Sequence, residues 1–261
     1  MRLISLNTWG GKVFEPLMQF IQDNSVSSDI FCFQEIFSTT SNFKQFPEYR
    51  ANLLEEISKI LPDFNYFFDS VMEGLDIEAN PVEFNLKHGL ATFVRKDFSL
   101  KDYRNFFLYK NKTSKLIKKK FSDIPVNIQL LNFTKDSKEF IVCNFHGASF
   151  PGSKKDTPQR IEQSQKIRNL LKEKDCAKII VGDFNLLPNT KSISILEEDL
   201  RNLIKEYNIQ KTRSRIDLFY GKDNFQKFAD YTFVSRDINI IDFQVPYVEV
   251  SDHLPMILEF S

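Results

Sequence analysis

The chain has 261 residues, 42% of them hydrophobic and 27% charged, a balance that supports a sizeable buried core and excludes an intrinsically disordered chain. Lysine plus arginine equals aspartate plus glutamate at 35 each, so no global positive field draws the protein to nucleic acid or to an anionic membrane, and any polyanion must be gripped locally. At this length a single domain over residues 1–261 is expected.

Arg2-Leu3-Ile4-Ser5-Leu6-Asn7 alternates like a buried strand, which leaves no basic-then-apolar leader there. No apolar run approaches the ~20 residues that cross a bilayer. The expected setting is therefore the cytoplasm, with no stable membrane insertion. Phe14, Leu17, Met18 and Ile21 recur at helical spacing, and a strand follows over 29–34. A second amphipathic helix carries Leu53, Leu54, Ile57, Ile60 and Leu61 and stops at Pro62. Strand-like segments follow over 66–71, 90–95, 126–133 and 140–144. Tyr103, Phe106, Phe107 and Tyr109 suit a strand's core face as well as a surface that stacks on bases or touches lipid. Six lysines between Lys110 and Lys120 suggest a hairpin tip or loop.

Thr157-Pro158 opens a third helix, with Thr as cap and Pro at the first helical position, and Ile161, Ile167, Leu170 and Leu171 facing inward. A strand over 178–181 leads into Gly182-Asp183-Phe184-Asn185, and a fourth helix places Ile193, Leu196, Leu200 and Leu203 on one side. Strands return over 231–234, 238–245 and 255–260. Helix-flanked halves that each end in strands point to an α/β fold: a four-layered α/β/β/α sandwich of two packed mixed sheets flanked by helices. Cys32, Cys143 and Cys176 are odd in number, lack metal-site spacing and lie in strand-like runs, so buried reduced thiols are expected.

Glycine is scarce, yet Gly10, Gly11, Gly89, Gly147 and Gly182 sit beside an Asn, His or Asp at strand ends, where loops on a rigid scaffold build sites. The polar residues gathered there are Asn7, Gln34-Glu35, His146, Asp183, Asn185, Asp230 and Asp252-His253. Phosphodiester hydrolysis needs a hard cation held by oxygen ligands, a role that suits Glu35 and Asp252. It also needs a group to orient or deprotonate water, and donors for the developing charge, which suit Asp183 and then Asn185, His146 and His253. Singly, each has a plainer reading: Asp183 and Asn185 as turn formers, Asp230 as a strand cap, Asp252-His253 as a surface ion pair. Zinc is disfavoured, because only three histidines occur and no His-Glu-x-x-His or Cys pair is present.

In order and spacing, the segments Leu6-Asn7-Thr8-Trp9-Gly10-Gly11, Phe33-Gln34-Glu35, Gly89-Leu90-Ala91-Thr92-Phe93, Asn144-Phe145-His146, Gly182-Asp183-Phe184-Asn185, Asp230-Tyr231-Thr232-Phe233-Val234-Ser235 and Ser251-Asp252-His253-Leu254-Pro255 resemble the successive motifs of the endonuclease/exonuclease/phosphatase family. The resemblance implies Glu35 as principal Mg²⁺ ligand, with Mn²⁺ an expected substitute, and Asn7 and Asp252 close to the metal. It implies Asp183 as the residue that orients or activates the attacking water, and Asn185 as its holder. His253 would contact the scissile phosphate with Asp230 fixing its tautomer. His146 is similar to the second histidine of the deoxyribonuclease-like and sphingomyelinase-like branches.

The family covers many phosphoesters, so the substrate is open to this reading. Trp9, where abasic-site endonucleases carry an acidic residue, disfavours that branch. Phe225-Gln226-Lys227-Phe228-Ala229-Asp230, in place of a Trp-Cys-Asp-Arg segment, disfavours the inositol phosphatases. The leading expectation is a nuclease or phosphodiesterase acting on nucleic acid or nucleotides. The alternative is a sphingomyelinase-like enzyme acting on a phospholipid or small phosphoester. Arg213 and Arg215 are candidates to grip a substrate phosphate, and His88 reads as a satisfied structural histidine.

Overall fold

The computed structural model describes residues 1–42, 46, 48–111 and 120–261. In chain order its elements are β1 (Arg2–Asn7), α1 (Phe14–Ser25), β2 (Ile30–Thr39), α2 (Leu53–Ile60), β3 (Phe64–Glu73), β4 (Leu86–Arg95) and β5 (Ser99–Tyr109). There follow β6 (Val126–Lys135), β7 (Lys138–His146), α3 (Pro158–Lys172), β8 (Ala177–Asp183), α4 (Lys191–Glu197), β9 (Arg201–Asn202), α5 (Leu203–Glu206), β10 (Asp230–Val234), β11 (Ile240–Gln244) and β12 (Met256–Phe260). Among the described residues the strands form two six-stranded sheets, ordered β11-β12-β1-β2-β4-β3 and β5-β6-β7-β8-β10-β9. Each is mixed: β1 and β2 are parallel in the first, β7 and β8 in the second, and the other named pairs are antiparallel.

Strand alternation divides the apolar residues between layers. Leu3, Ile30 and Cys32 turn inward to the cluster shared with Ile128, Cys143 and Ile180 of the second sheet. Ile4, Leu6, Phe31 and Phe33 turn outward, where Leu17, Met18 and Ile21 of α1 and Leu53, Leu54 and Ile57 of α2 cover them. On the far side Ile167 and Leu171 of α3 and Ile193 and Leu196 of α4 join the core of the second sheet. The result is the four-layered sandwich anticipated from the element order. Tyr103, Phe106 and Tyr109 of β5 pack partly buried against this core, and the three cysteines are free thiols, Cys32 and Cys143 buried and Cys176 partly exposed.

The buried face of α3 is more polar than its apolar spacing suggested: Arg160, Gln163 and Ser164 join Ile167 and Leu171, leaving Ile161 and Leu170 partly exposed. The cause is Arg160, whose guanidinium turns under the preceding loop to meet its carbonyls. The helix expected to run through Leu203 ends at Glu197; Leu200 and Leu203 reach the same core from the short β9 and α5 region. The lysine-rich segment falls largely on residues 112–119, outside those described.

Between the sheets lies a buried polar layer. Asn144 of β7 donates to the carbonyls of Phe33 (3.1 Å) and Ala91 (3.2 Å) and to Thr92 Oγ1 (3.2 Å), and accepts from Gln34 Nε2 at 2.7 Å. Gln129 accepts from Thr92 Oγ1 at 2.7 Å and donates to Asp69 Oδ2 at 2.8 Å. Gln34 and Asn144, both inside motifs, thus join the sheets rather than line a cleft.

Candidate active site

Strand register brings the strand-end residues together. The parallel pairing of β7 with β8 sets His146 opposite Asp183, and the antiparallel pairing of β8 with β10 sets Asp183 opposite Asp230. In the first sheet the β1–β2 register sets Asn7 beside Gln34. Glu35 follows in a β-bulge: between Phe33 and Ile36 the pairing with β4 gains one residue. Both Phe33 and Ile36 thereby face the outer core, and Glu35, at φ +58°, is released from the alternation. A non-glycine residue in the left-handed region is strained, and such strain concentrates at functional sites. Gly182 has φ +139°, and a Cβ there would lie 1.9 Å from the Phe145 carbonyl oxygen. Only glycine permits β7 and β8 to approach so closely immediately before Asp183.

Asp183 is the hub. Asn7 Nδ2 donates both to its Oδ2 at 3.1 Å and to Glu35 Oε1 at 3.0 Å, linking the two sheets' carboxylates. The Nε2 atoms of His146 and His253 each stand 3.6 Å from Asp183 Oδ2, too far for direct bonds but placed around one small volume. Asp183 Oδ1 accepts from the Asn185 backbone N–H at 2.8 Å, and Asn185 Nδ2 donates to the Gly147 carbonyl at 3.1 Å. Burial by itself would raise the Asp183 pKa, but His253, Lys154, His146 and Arg213 outweigh it and hold the carboxyl well below the ordinary range. Asp183 is thus held as an anion at the centre of the site.

His253 Nδ1 meets the Asp230 carboxylate at 2.8 and 2.9 Å, and Thr212 Oγ1 in turn accepts from the Asp230 N–H at 3.1 Å. The Nδ1–H tautomer assigned by these bonds turns Nε2 towards Asp183. Residues 212–214 pair with 252–254 through Ser214 N to Asp252 O and Leu254 N to Thr212 O, each 2.8 Å. That bridge sets Arg213 against His253, where its guanidinium bonds His253 Nε2, Asp252 Oδ2 (2.7 Å) and Asp217 Oδ2 (2.7 Å from Nε). Arg215 does not reach the site: the chain turns at 215, and its exposed side chain pairs with Glu249.

Asn7, Glu35, His146, Asp183, Asn185, Asp230, Asp252, His253 and Arg213 therefore come together, while Arg215 lies at the surface and Gln34 lies in the polar layer between the sheets. A cleft of about 300 Å³ runs from Asp183, Asn185, Arg213, Asp252 and His253 past Glu35 and His146 to His88 and the apolar Met72 and Ile77. Lys154, which was not singled out, bonds Asn185 Oδ1; in the sequence it is one of a pair of loop lysines with nothing to set it apart.

The donor set fits a hard cation. Glu35 and Asp252 both line the cleft, burial and, to a lesser degree, the Glu35 charge raise the Asp252 pKa, and a divalent cation held there would offset that repulsion. Ligand atoms of Asp183, Asp230 and His253 also lie within 4.8 Å of one another, with His253 Nδ1 already bonded to Asp230.

His88 is not satisfied as expected. It is buried against Phe37 with ring centroids 4.7 Å apart, and among the described residues neither ring nitrogen has a hydrogen-bond partner. Burial, with a smaller contribution from His146, lowers its pKa from 6.5 to about 3. The unfolded chain therefore binds a proton near pH 6.5 that the folded protein refuses until about pH 3, so stability falls on acidification through that window. Between pH 6.5 and 4.5 the loss is expected to be about 2–3 kcal/mol. Urea unfolding of wild type and His88→Leu checks this: the variant should have the flatter acid limb, and parallel limbs would refute it.

The endonuclease/exonuclease/phosphatase family profile matches residues 4–253, nearly the whole chain. The chain belongs to the endonuclease/exonuclease/phosphatase family. Members of this family are hydrolases of phosphoesters and generally depend on a divalent metal. No curated protein matches the chain in sequence. Solved structures share the fold along its entire length. A family protein from Bacteroides thetaiotaomicron is 18% identical with a TM-score of 0.74, over 100% of this chain and 97% of that one. A mannosyl-6-phosphatase from the same species is 18% identical with a TM-score of 0.70, over 100% and 99%. The human Nocturnin catalytic domain is 19% identical with a TM-score of 0.67, over 100% and 93%. Among the described residues no helix is long and apolar enough to cross a membrane.

Proposed function

We propose that this protein is a Mg²⁺-dependent phosphodiesterase that cleaves nucleic acid or nucleotides. The observation that carries the reading is the Asp183 carboxylate held between two imidazole Nε2 atoms, each 3.6 Å away, and tied through Asn7 to Glu35. Glu35, Asn7 and Asp252 would hold the ion, which neutralises phosphate oxygens when bound. Asp183 Oδ2 receives the proton of the attacking water, and Asn185 orients that water beside it. His253, aligned by Asp230, contacts a non-bridging phosphate oxygen. His146 faces the leaving oxygen, and Arg213 adds fixed positive charge next to the phosphate. Water attack forms a new P–O bond as the ester P–O bond breaks, and the proton taken up by Asp183 is passed on to the leaving oxygen, which departs as a hydroxyl.

The apolar arm of the cleft at Met72, Ile77 and Ile124 favours, as a second reading, a phosphoester with an apolar group, such as sphingomyelin. Turnover of duplex DNA, single-stranded DNA, RNA, sphingomyelin vesicles and a chromogenic phosphodiester, with Mg²⁺, Mn²⁺ or chelator, separates the two. We expect cleavage of a nucleic acid that chelator abolishes, and in Glu35→Gln a Mg²⁺ requirement raised roughly tenfold to a hundredfold. Turnover confined to sphingomyelin would replace the substrate class, and chelator-resistant turnover would remove the metal from the proposal.

A further inference from the structure

A second cleft, about 510 Å³, opens on the other side of Asn185 and Arg213, with Ser149, Ser153, Lys154, Phe219, Asn224 and Gln226 in its wall. It meets the first cleft at Ser149, Asn185 and Arg213. Its cations differ in kind. Arg213 is already matched by Asp217 and Asp252. Lys154 is half-buried, and among the described residues no carboxylate stands within ion-pairing distance of it; its ammonium rests on Asn185 Oδ1.

The loop that carries Lys154 is fixed. Arg160, fully buried, donates to the carbonyls of Ala148 (2.9 Å), Pro151 (2.8 Å) and Lys155 (2.6 Å). Leu187 N–H donates to the Lys154 carbonyl at 2.9 Å. Asp156 accepts from the N–H groups of Lys191 and Ser192 at 2.7 and 2.9 Å, joining the loop to α4. Lys154 itself sits at φ +54°, a conformation a lysine adopts only where its surroundings impose it. A cation without a direct ion pair, held this firmly beside the hydrolytic centre, with hydroxyls and amides around it and the one carboxylate of the cleft wall, Asp217, taken up by Arg213, is preorganised for a multi-oxygen anion.

We propose that this second cleft binds the phosphate flanking the scissile one in a nucleotide chain, with Lys154 as its charged contact. The proposal rests on the phosphodiesterase reading above and deepens it: the preferred substrate carries a second anionic group one nucleotide from the bond that is cut. Arg213, at the junction, lies between the two phosphates. The exposed ring of Phe219 stands in the same cleft wall, available to the base.

The test uses trinucleotides, thymidine or uridine according to the polymer cleaved, in which one linkage or the other is an uncharged methylphosphonate and cleavage is read at the remaining phosphodiester. For wild type we expect one of the two neutral-flank substrates to have a kcat/KM roughly tenfold to a hundredfold below the fully charged one, mainly through KM. In Lys154→Ala that advantage should fall to near unity, and Lys154→Arg should restore much of it. An advantage that persists in Lys154→Ala, whatever the change in absolute rates, overturns the proposal, because Lys154 would then act only by positioning Asn185. Cleavage by wild type without discrimination overturns it while leaving the phosphodiesterase reading intact. Failure of wild type to cleave any trinucleotide overturns both.

Discussion

Replacing Asp183 with asparagine should lower kcat/KM for phosphodiester cleavage on the order of a thousandfold or more. The substitution keeps the volume and removes the charge on which the site converges. Oδ2 faces Asn7 Nδ2 at 3.1 Å and the Nε2 atoms of His146 and His253 at 3.6 Å each. Whichever way an amide is turned, no anion remains to take a proton from water. If the amide nitrogen occupies the Oδ2 position, it opposes the Asn7 donor directly. The loss should appear in kcat, since a water-activating group is used in the transition state more than in substrate binding. A variant that stays folded and retains activity within tenfold of wild type would remove Asp183 from its assigned role.

Asn144→Leu should cost about 3–5 kcal/mol of stability, seen as a lowered urea midpoint. Leucine keeps the branched outline, though it is bulkier, and supplies none of the bonds by which Asn144 holds Phe33 and Ala91 of the first sheet and accepts from Gln34. Their partners would be stranded between two sheets from which water is excluded, and a buried unpaired polar group costs more than the bond itself contributed. A loss below about 1 kcal/mol would mean that the polar layer repairs itself and that apolar packing alone joins the sheets.

Helices and strands were legible where periodicity and burial coincide. Phe14, Leu17, Met18 and Ile21 mark α1, and the alternation from Arg2 to Asn7 marks β1. Periodicity misled at α3, because Arg160 is buried for the carbonyls of a neighbouring loop and no helical spacing encodes that use. The residues of the site were legible as polar groups at strand ends, but their grouping depended on order and spacing along the chain. The β7–β8–β10 register that aligns His146, Asp183 and Asp230 is a product of sheet topology. Arg213 and Arg215, two residues apart, were indistinguishable in sequence; a backbone bridge takes one into the site and a turn carries the other to the surface. Lys154 acquires its significance only in the fold, where among the described residues no carboxylate forms a direct ion pair with it and it stands beside Asn185.

The order of synthesis sets when this site can exist. β1 is made first, yet its neighbours are β2, available early, and β12, which emerges more than 250 residues later with Asp252 and His253 just ahead of it. Until then one edge of β1 presents open backbone donors and acceptors, a template for wrong partners, and closing it requires the longest-range contact in the fold. The strand that seals the first sheet also brings in His253, next to Asp183 and Asp230. A growing chain therefore carries Asn7, Glu35 and Asp183 without a complete site, and the vulnerable edge and the incomplete site disappear in the same event.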